Sequence, residues 1–142
     1  MSNLVRFGVS IDDDLLEKFD VLSNERGYAN RSEALRDLIR DNLIQNKVNF
    51  DSETQILGSL TLVYDHHSTT LLQDMADIQH KHHNLILSVM HLHVNHTDCL
   101  EILALSGKTS QINSLADELI SLKGVKHGKL CVTLPSSEIH KT

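Results

Sequence analysis

The sequence predicts an α+β chain in two parts, with residues 1–47 as one domain and residues 54–138 as the other. Three observations lead there. Apolar residues alternate from Leu4 to Ile11, two helical apolar stripes follow, and a polar stretch from Gln45 to Glu53 separates them from six further segments. The period of those segments switches repeatedly between 2 and 3.6 residues.

In the first part, Val5, Phe7, Val9 and Ile11 share one face of a predicted strand, and Arg6, Gly8 and Ser10 share the other. Asp12, Asp13 and Asp14 then place carboxylates at the positive end of a helix. Its stripe is Leu15, Leu16, Phe19 and Leu22, and Gly27 is its expected stop. Asn30, with Glu33 three residues on, opens a second helix striped by Ala34, Leu35, Leu38, Ile39 and Leu43. A lone strand leaves its backbone groups unpaired. The economical arrangement is an intertwined dimer in which two such strands pair antiparallel.

After the expected linker at Gln45–Glu53 come a strand at 55–64, a helix at 67–83, strands at 86–94 and 98–105, a helix at 108–122 and a strand at 126–134. That order is βαββαβ, the ferredoxin-like arrangement. Turns are expected at Asn95–Asp98, Ser106–Lys108 and Lys123–Gly124, and the single proline, Pro135, follows the last strand.

Composition narrows the function. No apolar run reaches the roughly 18 residues that span a bilayer, and no signal peptide is evident, so a cytoplasmic location without membrane partners is expected. Two cysteines, Cys99 and Cys131, make no disulfide framework. Ten histidines stand against two tyrosines, three phenylalanines and no tryptophan, and this excess directs attention to metal. The net charge is −6, and residues 1–50 carry seven basic against nine acidic side chains. Any contact with nucleic acid must therefore come from locally placed basic groups.

The sharpest motif is His91-Leu-His93 followed by Cys99. On a strand, positions two apart point the same way. With the hairpin turn centred on His96, His93 faces Cys99, and His91 faces Glu101, a carboxylate placed to orient its imidazole. One thiolate and two imidazoles leave a coordination position open, for which His80, His82 and His83 are candidates. The donor set suits zinc, copper, nickel or cobalt and excludes calcium and magnesium as natural occupants. Cys131 is expected to be a small buried apolar residue.

On the first part, Arg6, Gly8 and Ser10 face outward on a ribbon that fits a major groove. The helix opened by Asn30 would offer backbone N–H groups to a phosphate. A dimerisation clasp without DNA is the competing reading. No catalytic set emerges: the glycines stand singly, and no serine is paired with a base. A metal hydrolase would have to recruit Glu101 as its base. An ACT-type small-molecule regulator with incidental histidines is the other alternative.

Four segments together resemble the nickel-responsive regulators of the NikR type over nearly the whole chain. They are Ser10–Leu16, Arg26–Tyr28 with Asn30–Ala34, His91–Glu101 and Gly124–Gly128. The resemblance implies a nickel-dependent repressor of nickel-uptake genes that binds double-stranded operator DNA and is not an enzyme. It implies a homotetramer, two ribbon-helix-helix dimers flanking a core of ACT-type domains. It implies one square-planar Ni(2+) per subunit, held by His91, His93 and Cys99 of one subunit and His80 of a neighbour. Glu33 and Asp37 match carboxylates that help hold an interdomain K(+), with the loop around Ile120, Leu122 and Val125 on the carbonyl side. The sequence departs from the family in two places. Gly8 offers no polar side chain to a base, and Lys81 breaks the histidine run beside His80.

Overall fold

A computed structural model describes residues 3–139; the first two residues of the expected 1–47 domain lie outside it. The chain divides into two compact units, Met1–Asp41 and Asn42–Thr142.

In the first unit, α1 spans Asp13–Glu25, with Asp13 and Asp14 in its first turn. Gly27 ends it with φ of 79°, a conformation that costs side chains with a Cβ but not glycine. The Tyr28 N–H closes the turn on the Ser23 carbonyl at 3.0 Å. The second helix, α2 (Arg31–Phe50), starts as expected: the Asn30 side-chain oxygen accepts from the Glu33 N–H at 3.0 Å. Arg31 reaches back to α1 with a two-toothed pair to Asp20, both contacts 2.8 Å.

The expected strand at Leu4–Ile11 is not realised in the single chain, because a ladder needs a second strand and residues 3–12 have none beside them. Phe7 is 68 % exposed and Val9 63 %. Among the described residues of this unit only Ser23 and Ala34 are buried.

The linker expected at Gln45–Glu53 is a correction. Helix α2 continues to Phe50, and Ile44 and Val48, four residues apart on one face, pack against the core of the second unit. Polar residues between them hide that spacing in the sequence.

The second unit holds β1 (Gln55–Asp65), α3 (Thr69–Lys81), β2 (Ile86–His93), β3 (Asp98–Lys108), α4 (Thr109–Ile120), β4 (Val125–Thr133) and a short α5 (Ser136–Ile139) that the sequence reading did not foresee. The strands form one sheet in the order β2-β3-β1-β4, every neighbouring pair antiparallel. This is the ferredoxin-like order. Ile56, Leu60, Leu62 and Tyr64 of β1 and Leu103 and Leu105 of β3 pack with Leu71 and Met75 of α3 and with Ile112, Leu115 and Leu119 of α4. Each fully buried leucine or isoleucine of this set contributes about 1.5–3 kcal/mol.

Two further expectations are overturned. Ser106–Lys108 is not a turn, since β3 stays paired with β1 as far as Lys108 opposite Gln55. Gly107 sits under a close approach there, since a Cβ would stand 2.7 Å from Leu85 Cδ2 and the leucine would have to shift. Cys131 is not buried but exposed. It pairs with Ser59, an exposed residue between the buried Leu60 and the partly buried Gly58, on the face the helices leave uncovered.

Candidate metal centre

The hairpin of β2 and β3 has the register that alternation predicts. His93 stands opposite Cys99, and His91 opposite Glu101. Asn95 sets the turn by accepting from the N–H groups of Thr97 at 2.9 Å and Asp98 at 2.8 Å. A slip of one residue would send Cys99 to the other face. With this register, Cys99 Sγ lies 3.5 Å from His93 Nδ1, and the rings of His91 and His93 are 5.4 Å apart.

The foundation is buried and the imidazoles reach outward. Cys99 is fully buried and Glu101 is 6 % exposed. The His91 side chain, by contrast, is 41 % exposed. Tyr64, opposite Cys99 on β1, places its hydroxyl 3.2 Å from His91 Nδ1. Glu101 Oε1 lies 3.6 Å from the same nitrogen, and its other oxygen accepts from Gln79 Nε2 at 2.9 Å. Burial pushes the Glu101 carboxyl up, opposed by the bond from Gln79 and by His91. Burial also pushes the Cys99 thiol up, and the neighbouring carboxylates Glu101, Asp65 and Asp98 add to it. A metal bound by this sulfur must displace its proton.

The structure adds a residue that the sequence reading missed. His66 follows β1 immediately, and its ring lies 5.1 Å from that of His93. Donor atoms of His66, His93 and Cys99 all fall within 4.8 Å of one another, and so do those of Asp65, His66 and His67. His66 Nδ1 is buried without a hydrogen-bond partner. An imidazole nitrogen in that state, beside a thiol and a second imidazole, fits a soft or borderline metal ion. The signal was present in the sequence as parity, because 60, 62, 64 and 66 would share one face of an extended strand.

His91, His80 and His82 fall outside the donor groups around His66 and Cys99. His80 closes α3 with its ring 6.2 Å from that of His83, and the metal-donor groups of the described residues do not include it. His82 is engaged elsewhere, with Nε2 2.9 Å from Glu118.

In the first unit, Arg6, Gly8 and Ser10 are exposed, and nothing lies within 4 Å of where a Gly8 Cβ would stand. The Asn30 side chain serves as the cap of α2. Asp37 accepts from the Tyr28 hydroxyl at 2.7 Å and from Arg40 at 3.1 Å, and Glu33 lies 3.4 Å from the Ala29 N–H. Among the described residues, no helix is long and apolar enough to cross a membrane.

The chain thus joins strand-forming sequence and two helices to a sheet domain whose hairpin brings imidazoles beside a thiol. Comparison with known proteins narrows the reading. Residues 5–45 match the ribbon-helix-helix protein, copG family, and residues 57–133 match the NikR C terminal nickel binding domain. Proteins carrying the name "Putative nickel-responsive regulator" align over nearly full length. The one from Solibacter usitatus is 51 % identical over 139 residues, covering 98 % of this chain and 99 % of its own. The one from Geobacter sulfurreducens is 49 % identical over 140 residues, covering 99 % and 100 %. The chain belongs to the family of NikR-type nickel-responsive regulators, a family of transcription regulators and not of enzymes. An uncharacterized protein from Thermotoga maritima shares the fold alone, with a TM-score of 0.51 and 19 % identity over 55 % of this chain and 96 % of that one.

Proposed function

We propose that this chain is a nickel-dependent repressor whose nickel site is built from His91, His93 and Cys99, with His80 supplied by a neighbouring subunit. The observation that carries the reading is the hairpin register, which sets His93 against Cys99 and His91 against Glu101. Nickel, when bound, supplies a cross-link among these donors. The chain's own residues do the rest. Glu101, held by Gln79, faces Nδ1 of His91 and so favours the tautomer whose other nitrogen is free to ligate. His66 adds a third donor beside His93 and Cys99 within one chain, so capture can start before a second subunit contributes.

Two copies of residues 1–47 would pair their Leu4–Ile11 strands into a ribbon, with the 54–138 domains assembling a homotetramer. The alternating exposed face of Val5, Phe7, Val9 and Ile11 supports the first step. On β2, Met90 and Leu92, 55 % and 43 % exposed, support the second. Arg6 and Ser10 would then read operator bases, Gly8 would admit close backbone approach, and the start of α2 at Asn30 would meet a phosphate. Potassium at Glu33 and Asp37 would require Asp37 to exchange Tyr28 and Arg40 for the cation. The regulated genes would be those for nickel uptake, in the cytoplasm.

A footprint on the DNA upstream of the protein's own gene, with and without nickel, tests the whole reading. Protection that appears only with nickel is expected. Equal protection in both conditions would remove nickel from the mechanism.

A further inference from the structure

The stretch expected to be a flexible linker is instead fastened at both ends to the second unit. Ile44 and Val48 lie on its core, alongside Leu134, which is 3 % exposed, and Ile139 of α5. Between those two apolar residues, Lys47 extends its ammonium to Glu138 Oε2 at 2.9 Å. Neither side chain is at the surface proper, with 22 % exposure for Lys47 and 16 % for Glu138. At the far end, Asp51 caps the following turn through the Glu53 N–H at 3.0 Å. The carbonyls of Ser52 and Thr54 then accept from the N–H groups of Ser110 and Thr109 at the start of α4. The part of α2 that belongs to the second unit, Asn42–Phe50, contains no glycine or proline.

We infer that the Lys47–Glu138 pair is a latch that holds the end of α2 to the C-terminal helix α5 and thereby sets how strongly metal loading changes DNA affinity. The inference rests on the regulator reading above. Residues 91 positions apart meet here, so the contact exists only when the C-terminal segment has docked. A half-buried pair of this kind adds little net stability over an apolar pair, but it specifies one register, since either charge left alone is penalised. A docked helix end can carry a bias from the metal-binding domain along its length. A frayed end decouples the two.

The test compares the full-length wild type with Lys47→Met, Glu138→Gln and the exchanged double variant Lys47→Glu/Glu138→Lys. Nickel affinity, operator affinity with and without nickel, and amide hydrogen exchange over residues 42–50 are measured on each. Both single variants should bind nickel as the wild type does. Their exchange over 42–50 should be faster, and the factor by which nickel raises operator affinity should fall about fivefold or more. The exchanged variant, which keeps the pair with its polarity reversed, should recover most of that factor. An unchanged nickel factor in both single variants overturns the latch. A loss of nickel affinity in parallel overturns it too, since the pair would then support the metal site itself. A wild type that binds its operator equally with and without nickel would defeat the regulator reading instead. The exchange measurement would still decide whether the pair fastens the helix.

Discussion

The two units of this chain bury their apolar residues in opposite ways. In Asn42–Thr142 the sheet and two helices close over a core whose leucines at 60, 62, 103, 115 and 119 are fully buried. In Met1–Asp41 the apolar faces are complete in sequence but remain open, and a groove of about 430 Å³ lined by Ile11, Leu15, Phe19 and Leu35 lies between them. A unit of about 40 residues cannot remove enough surface from water by itself. One unit closes its core with its own contacts, while the other leaves its apolar faces open to solvent. Metal binding should therefore survive substitutions that abolish DNA binding.

The largest effect expected from separating the units is at Cys99. Cys99→Ala removes the one thiolate of the hairpin and should weaken nickel binding by more than about a hundredfold, beyond what loss of an orienting neighbour costs. Far-ultraviolet circular dichroism of the apo-protein should be unchanged, because the other core residues stay. Competitive metal titration measures the affinity, and a wild-type value would remove Cys99 from the site.

Arg6 probes the other unit. One bidentate arginine–guanine contact is worth about 1–3 kcal/mol, and a symmetric dimer repeats it. Arg6→Ala should lower operator affinity at least about tenfold while nickel affinity stays as it was. Arg6→Lys should restore only part, since an ammonium lacks the planar fork. Gel-shift titrations at fixed salt and saturating nickel decide it, and unchanged operator binding would leave residues 4–11 as a clasp.

His80 sharpens the comparison by asking whether the self-contained unit completes its metal site alone. Mixed oligomers of His80→Ala and Cys99→Ala subunits should regain a fraction of tight nickel sites, counted by equilibrium titration after subunit exchange. If mixed oligomers form and no tight site returns, His80 acts within its own chain or not at all.

The smallest effect expected is at Asp20. The bond from Arg31, more than its charge, holds the Asp20 carboxyl below the usual carboxylate range. A folded-state value below the unfolded one stabilises above the unfolded pKa, and that contribution is lost as pH falls through the folded value. Asp20→Asn should flatten the decline of thermal stability on the acid side of pH 4, about where unperturbed aspartate titrates. Because the pair is exposed, the difference should be a small shift in melting temperature. An identical acid profile in the variant would assign the decline to other carboxylates.

Much was legible before the structure. Period-2 alternation with a polar turn at Asn95–Asp98 determined the His91, His93, Cys99 and Glu101 patch, because strand geometry leaves few registers when one face is buried. The helix boundaries at Gly27 and Asn30 were legible for a similar reason, since caps act on backbone groups a few residues away. The ferredoxin-like element order was readable from alternating periods alone.

What only the tertiary structure decided involves groups brought together from distant positions. His66 joins Cys99 because β1 and β3 are neighbours in the sheet, and no local pattern states which strands are neighbours. Gly107 lies in a paired strand beneath Leu85 and not in a turn. Cys131 is exposed because the helices cover the other face of β4. The helix through residues 45–50 exists because Ile44 and Val48 find a core to lie on, and a weak local propensity is settled by that burial. Local chemistry thus specified the elements and the hairpin that carries His91, His93 and Cys99. The long-range packing of apolar faces chose which further residues meet them.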